Sequence, residues 1–232
     1  MQAAPIARRL DEVEPVPCPC GESRRIIGAG DAAAVGFHVT TIEGAQAHFH
    51  QRTTEVYHVL EGEGRLILSG SAYDLSPGTT AYIPPGCVHR GEGSFTAAIA
   101  VLPPFDPADE FTVRDRLPRP SEAPIVRSLD EIEPRRSHCG SSRRVLTRED
   151  RVALGLHVVH INEADCHRHL RTTEIYHILD GEGTLQVREE RYDLEPGVTV
   201  YVPAGLKHGG DGDFTAIVIC VPPFDPDDQI VL

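Results

Sequence analysis

Lysine is almost absent from this 232-residue chain. Lys207 is the single example, and the remaining basic charge is carried by arginine. Acidic residues outnumber basic ones by 35 to 22, for a net charge of −13. That balance argues against a nucleic-acid backbone or an anionic membrane as the main partner. There is no amino-terminal apolar run before a cleavage-like site, and no stretch approaches the length of a membrane span. A soluble, cytoplasmic protein is the expectation. Helix signals are sparse: Ser128-Leu129-Asp130-Glu131 fits a capping box, but Pro134 stops the segment after about one turn.

The six cysteines are Cys18, Cys20, Cys87, Cys139, Cys166 and Cys220. Only Cys20 and Cys139 occupy matching places in the internal repeat of the chain, so no disulfide framework is duplicated and free thiols are expected. Cys18-Pro19-Cys20 is a poor candidate for a separate metal site, because the other half offers Ser137 and Cys139 instead.

That repeat dominates what is present. Leu10-Asp11-Glu12 returns as Leu129-Asp130-Glu131, Arg24-Arg25 as Arg143-Arg144, and Pro103-Pro104-Phe105-Asp106-Pro107 as Pro222-Pro223-Phe224-Asp225-Pro226, each 119 positions later. Roughly half of the superposed positions are identical, which marks a tandem duplication of one domain rather than a short solenoid repeat. Each unit is long enough to bury its own core. The join is expected near Arg116-Leu117-Pro118-Arg119-Pro120, a proline-rich, charged stretch, giving domains 1–116 and 117–232.

Short β-prone runs alternate with glycine and proline turns in both halves. In the first, Val35 to Ile42, Glu55 to Leu60, Arg65 to Leu68, Thr79 to Ile83 and Phe95 to Leu102 read as strands. Glu61-Gly62-Glu63-Gly64, Pro77-Gly78 and Pro84-Pro85-Gly86 read as turns, and their copies read alike. The expected class is all-β, an antiparallel sandwich or barrel in each half.

Four residues of the repeat carry chemistry. His48, His50, Glu55 and His89 recur as His167, His169, Glu174 and His208. Imidazoles and carboxylates bind divalent metals at neutral pH, and three His with one Glu form a complete protein ligand set, so two metal ions per chain are expected. Strand alternation puts His48 and His50 on one face. Gln51-Arg52-Thr53-Thr54 must bend to return Glu55 to that face, while His89 arrives from another strand.

The run His48-x-His50-x4-Glu55-x6-Gly62 resembles the first motif of the cupin superfamily, and Gly78-x5-Pro84-x-Gly86-x2-His89 resembles the second. The other half repeats both, with His167, His169, Glu174, Gly181 and then Gly197, Pro203, Gly205, His208. The glycine expected before the first motif is displaced or replaced, and the asparagine often found after the last His is absent. The resemblance implies a bicupin: two tandem jelly-roll β-barrels related by a pseudo-two-fold, each holding a divalent metal. In that superfamily the metal is iron, manganese, nickel, copper, cobalt or zinc, and the members include dioxygenases, decarboxylases, isomerases, lyases and storage proteins.

Around the ligands, Tyr57 and Tyr176 share a strand face with the glutamates and are the candidate catalytic residues, as hydrogen-bond donors or as acid and base. His58 and His177 fall on the opposite face and are expected to pack. His38 and His157 have uncertain parity. Arg52 and Arg171 either clamp a substrate carboxylate or point to solvent, with solvent favoured. Arg24-Arg25 and Arg143-Arg144 are placed at domain edges, supporting the contact between units, and Leu10 to Pro15 on a barrel exterior.

A ligand set of this kind leaves two positions open on an octahedral metal. The expected function is a metal-dependent enzyme acting on a small oxygenated metabolite, with oxygen-dependent cleavage by Fe(II) placed first. A redox-neutral isomerase, decarboxylase or lyase comes second, and a non-catalytic binding or storage protein with structural metals third. A monomer and a homodimer both remain open.

Overall fold

The computed structural model describes residues 3–113, 118–137 and 139–232. Among these residues the regular structure is strand, with only three-residue 3-10 turns between. The segment around Ser128 that carried the capping signal is one such turn, Leu129–Glu131. No helix is long and apolar enough to cross a membrane. The chain folds as tandem jelly-roll barrels, each an antiparallel sheet of ten strands.

In the first barrel the order runs Ile125–Ser128, Thr79–Ile83, Thr54–Leu68, His89–Leu102, Gly36–Ile42, Gly21–Ile27, Val16–Cys18. The short strand His48–His50 pairs with the start of His89–Leu102 and with Glu110–Thr112. The second barrel repeats this order with Ile6–Arg9 at the place of Ile125–Ser128. The long strands alternate, so Tyr57, Val59, Leu66 and Leu68 turn inward with Ala97, Ile99 and Val101 to form the first core, and Tyr176, Ile178, Leu185 and Val187 form the second.

The compact units are Val13–Glu131 on one hand and Met1–Glu12 with Ile132–Leu232 on the other. They differ from the expected division 1–116 and 117–232. Burial explains the difference. All five residues of Thr79–Ile83 are buried, as are all five of Val198–Val202. A strand in that position cannot be left as a bare edge with unpaired backbone groups. Ile125–Ser128 covers the first and Ile6–Arg9 covers the second, with Ile125 opposite Tyr82 and Ile6 opposite Tyr201. Leu10 continues onto the same barrel exterior, donating its backbone N–H to the Gly197 carbonyl.

Within the expected join, Arg116 and Leu117 lie outside the described residues. Past them the chain runs along the Pro84-Pro85-Gly86 turn, where the Ser121 N–H bonds the Pro85 carbonyl and the Tyr82 hydroxyl donates to Glu122 at 2.6 Å.

A second departure concerns Glu61-Gly62-Glu63-Gly64. These residues are not a turn but the middle of the continuous strand Thr54–Leu68, bulged between Val59 and Glu61. The copy is continuous through Thr173–Val187. The partner strand approaches so closely here that a Cβ on Gly181 would stand 2.1 Å from the Asp213 carbonyl oxygen, and the φ of Gly181 is +83°. The glycines therefore serve close strand packing and not chain reversal.

Gly181→Ala is expected to destabilise the protein by at least ~2 kcal/mol through a left-handed backbone and this clash. Gly30→Ala, with nothing within 4 Å of its Cβ, should stay within about 0.5 kcal/mol of the parent. The shift in urea unfolding midpoint measures both.

Candidate metal centre

The fold brings each predicted ligand set together. One donor atom from each of His48, His50, Glu55 and His89 lies within 4.8 Å of the others, and the same is true of His167, His169, Glu174 and His208. All eight residues are buried. His48 stands directly opposite His89 in the ladder, and His167 opposite His208. Two adjacent strands thus place two imidazoles side by side, and the bend after His50 brings in the carboxylate.

That bend is held by a residue that pattern reasoning passed over. Asp109, buried in the turn Pro107–Asp109, accepts hydrogen bonds from the backbone N–H groups of Gln51, Arg52 and Thr53, and from the Thr53 hydroxyl at 2.7 Å. Asp228 does the same for Arg171 and Thr172, with the Thr172 hydroxyl at 2.9 Å. Burial would raise both carboxyl pKa values, but the hydrogen bonds from Thr53 and Arg52, and from Arg171 and Thr172, hold them below the usual range. Arg52 and Arg171, both largely exposed, hold these aspartates and also Asp106 and Asp225 at the surface. The available signal was the exact recurrence of Asp106-Pro107-x-Asp109 as Asp225-Pro226-x-Asp228.

The residues fit a divalent cation. Nδ1 of His48, His89, His167 and His208 lies 2.8–3.0 Å from the carbonyls of Gln46, Cys87, Asp165 and Leu206, and His50 Nδ1 lies 3.1 Å from that of Asp109. A carbonyl only accepts, so each Nδ1 carries its proton and leaves the Nε2 lone pair for the centre. His89 Nε2 and Glu55 Oε2 lie 3.0 Å apart, buried, in a geometry that satisfies neither as a hydrogen bond. Such orphaned polar atoms at a common point are what a bound cation resolves.

Electrostatics keep His48, His167, Glu55 and Glu174 in metal-binding form at neutral pH. Burial lowers His48 and His167 to about 4. Burial would raise Glu55, but His50, His89 and His48 bring it down to about 2, and Glu174 is lowered in the same way by His208, His169 and His167. His89 and His208 are lowered by burial but raised on balance by their glutamates.

Tyr57 and Tyr176 point inward as expected. Burial first, and then the neighbouring glutamate, pushes both phenols well above 10, so they are neutral donors and not bases at physiological pH. The Tyr176 hydroxyl donates to Glu174 Oε2 at 3.0 Å. His58 and His177 pack away from the centres, their Nδ1 atoms 2.7 and 2.8 Å from the hydroxyls of Thr80 and Thr199.

Each cluster lines a cavity, of about 80 Å³ in the second barrel and about 50 Å³ in the first. His157 lines the one and His38 the other. So do Arg144 and Arg25, which correct the expectation that both arginine pairs support the contact between units. Only their neighbours do other work, Arg24 and Arg143 donating to the carbonyls of Val13 and Ile132. Alternation along the strands Gly21–Ile27 and Gly140–Leu146, in regular register through each arginine pair, explains the split. Cys18 and Cys20 also line the first cavity as free thiols, hydrogen-bonded to each other. In the second barrel Ser137 Oγ meets Cys139 Sγ at 3.2 Å.

With this geometry in view, the comparison with known proteins is direct: the cupin-domain family matches residues 37–102 and 158–222. The chain belongs to the cupin family. Among solved structures it is similar to a mutant of Bacillus subtilis oxalate decarboxylase (TM-score 0.76, 14% identity, 97% of this chain and 79% of that one). It is also similar to protein Ylba from E. coli (TM-score 0.77, 14% identity, 97% and 93%). An uncharacterized protein of Methanocaldococcus jannaschii, MJ1618, is 30% identical over 70 residues, covering 28% of this chain and 56% of that protein. The chain thus spans little more than half the length of that relative. The family and the two ligand clusters make this cupin a metal-binding bicupin.

Two outcomes are expected. Glu55→Ala and Glu174→Ala should each lower the divalent metal retained after dialysis by about one equivalent per chain, and the double variant should retain none, as read by elemental analysis. The metal-free protein should lose stability as pH falls from about 6.5 to 4. Burial holds His38, His48, His58, His157 and His167 at about 4, so over that range the unfolded chain takes up protons that these five cannot. The raised His89 and His208 oppose the trend with only two groups. A thermal midpoint that stayed level between pH 6.5 and 4 would contradict this.

Proposed function

We propose that this cupin is a metal-dependent enzyme acting on a small oxygenated metabolite, with oxygen-dependent cleavage as the first reading. The observation that carries it is the position of each ligand cluster in the wall of a cavity that also holds unpaired polar groups. A single enclosed water needs roughly 10–15 Å³, so about 80 Å³ suits a molecule of a few heavy atoms. A metal with a purely structural role has no need of that space, nor of an arginine lining it.

A divalent cation in the clusters, Fe(II) in the first reading, supplies Lewis-acid polarisation of a substrate oxygen and, with iron, a route to dioxygen. The protein's own part is positional. Tyr176 holds Glu174 through its hydroxyl, fixing the carboxylate. Tyr57 sits edge-on to His89 with ring centroids 6.3 Å apart, as a neutral donor facing the first cavity.

A redox-neutral reaction is the second reading. It is favoured by the likeness to oxalate decarboxylases along 97% of the chain, including one from Lactobacillus farciminis in complex with formate, at a TM-score of 0.79 and 12% identity.

Oxygen consumption by the Fe(II)-loaded protein over a panel of small hydroxy and oxo acids separates the two. Uptake that depends on iron and disappears in the Glu55→Ala, Glu174→Ala double variant is expected. Equal turnover under argon would transfer the activity to the redox-neutral class. No turnover with iron, manganese, cobalt, nickel, copper or zinc, in air or argon, would remove the enzymatic reading. Tyr176→Phe should retain metal and lower kcat by about 10- to 100-fold, the usual cost of losing a group that orients a metal ligand.

A further inference from the structure

The second cavity contains polar groups that neither the metal cluster nor the fold uses. Ser142 is 5% exposed, and its Oγ has no hydrogen-bond partner. The matching Ser23 in the first barrel is satisfied, bonded to Thr40 Oγ1 at 2.9 Å. Val159 stands where Thr40 does, and that one difference leaves the Ser142 hydroxyl facing an otherwise apolar wall. An unpaired buried hydroxyl is costly to the fold unless something else comes to meet it.

Arg144 faces the same space. In this acidic chain, Arg9, Arg52, Arg65, Arg90, Arg148 and Arg171 each hold a carboxylate. Among the described residues Arg144 holds none. Its guanidinium lies over the Phe224 ring, 5.4 Å from the centroid. The other neighbours of that ring are His157 at 6.0 Å and the cluster member His169 at 5.9 Å. Phe224 therefore neighbours both the cationic group and a member of the cluster, and all of them line the one small cavity. His157, buried and lining the cavity, adds an imidazole on the same side. Much of the rest of the wall, including Val159, Ile161, Leu185 and Val218, is apolar.

We infer that the second barrel contains a carboxylate-binding subsite formed by Arg144, Ser142 and His157. Its ligand is a short 2-oxo or 2-hydroxy acid with a small apolar arm. The guanidinium pairs with the carboxylate, the Ser142 hydroxyl donates to a carboxylate oxygen, the remaining oxygen faces the cluster, and the arm lies on the valine and leucine side chains. The first barrel carries a diverged copy. Arg25 there is exposed at the cavity mouth, Ser23 is already satisfied by Thr40, and Glu110 adds a negative charge where the other half has Gln229. One acid-selective site per chain follows, in the second barrel. The inference rests on the reading of these clusters as substrate-binding metal centres, and it names the class of substrate.

Calorimetric titration of the Mn(II)-loaded protein with pyruvate and with its neutral amide, pyruvamide, tests it. The expected result is one site per chain that binds pyruvate at least tenfold more tightly than the amide. Arg144→Gln should abolish that preference with bound manganese unchanged, Ser142→Ala should weaken pyruvate severalfold, and Arg25→Gln should leave the preference intact. Equal affinity for acid and amide overturns the subsite. So does loss of the preference in Arg25→Gln but not in Arg144→Gln, or displacement by inorganic phosphate as strong as by pyruvate, which marks a general anion site. Binding is read without turnover, so a protein that selects the acid yet catalyses nothing would fail the enzymatic reading and keep this one.

Discussion

A carboxylate must leave one strand and return to the same point as two imidazoles from the strand before it, and everything at the metal centres depends on that return. Side chains alternate along a strand, so the odd spacing between His50 and Glu55 puts the glutamate on the wrong face unless the chain bends. Asp109 makes the bend permanent by accepting from three consecutive backbone N–H groups and a hydroxyl. Its own carbonyl lies against His50 Nδ1, so the residue that shapes the bend also orients a ligand. Asp228 repeats the first of these roles around Arg171 and Thr172. A buried carboxylate of this kind costs little because its hydrogen bonds replace those it made in water.

The rest of the centre follows from keeping imidazoles neutral at close range. The rings of His48 and His89 are 4.2 Å apart and those of His167 and His208 4.3 Å. Two imidazolium ions could not share such a space. Burial removes the charge from His48 and His167, and a single glutamate in each barrel compensates any proton that remains on the partner ring. The phenol of Tyr176 then has only one useful task, donation to that glutamate. These constraints act within one barrel, which is why both copies keep them while the outer parts of the two cavities have moved apart.

What was legible in the sequence and what was not divides along a physical line. The eight ligands, the all-β class and the inward tyrosines follow from spacing, because strand periodicity and the two motif turns translate directly into geometry. Arg25 and Arg144 were misplaced because the strands Gly21–Ile27 and Gly140–Leu146 were not read from the sequence, so alternation was not applied to the paired arginines. The Glu61 to Gly64 run looked like a turn because glycine serves both chain reversal and close strand approach, and only the partner strand tells which. Asp109 is distant in sequence from the bend it holds. The exchanged edge strands were hidden for the same reason: nothing local in Ile6–Arg9 distinguishes pairing with Thr79–Ile83 from pairing with Val198–Val202, since the repeat makes both targets nearly alike.

That last ambiguity bears on ancestry. Ile6–Arg9 and Ile125–Ser128 are copies of one segment, and each completes the barrel built mainly from the other copy. Undo the duplication, and a single ancestral domain would have handed its first strand to a second molecule and received that molecule's strand in return. This is a reciprocally swapped homodimer, a closed arrangement that fusion of two gene copies converts into one polypeptide without altering a single backbone pairing. Fusion also changes the order of assembly. The barrel begun by Ile6–Arg9 waits on the ribosome for the whole of the other unit to be synthesised before its edge can close, so the half of the protein that starts first is the half that finishes last.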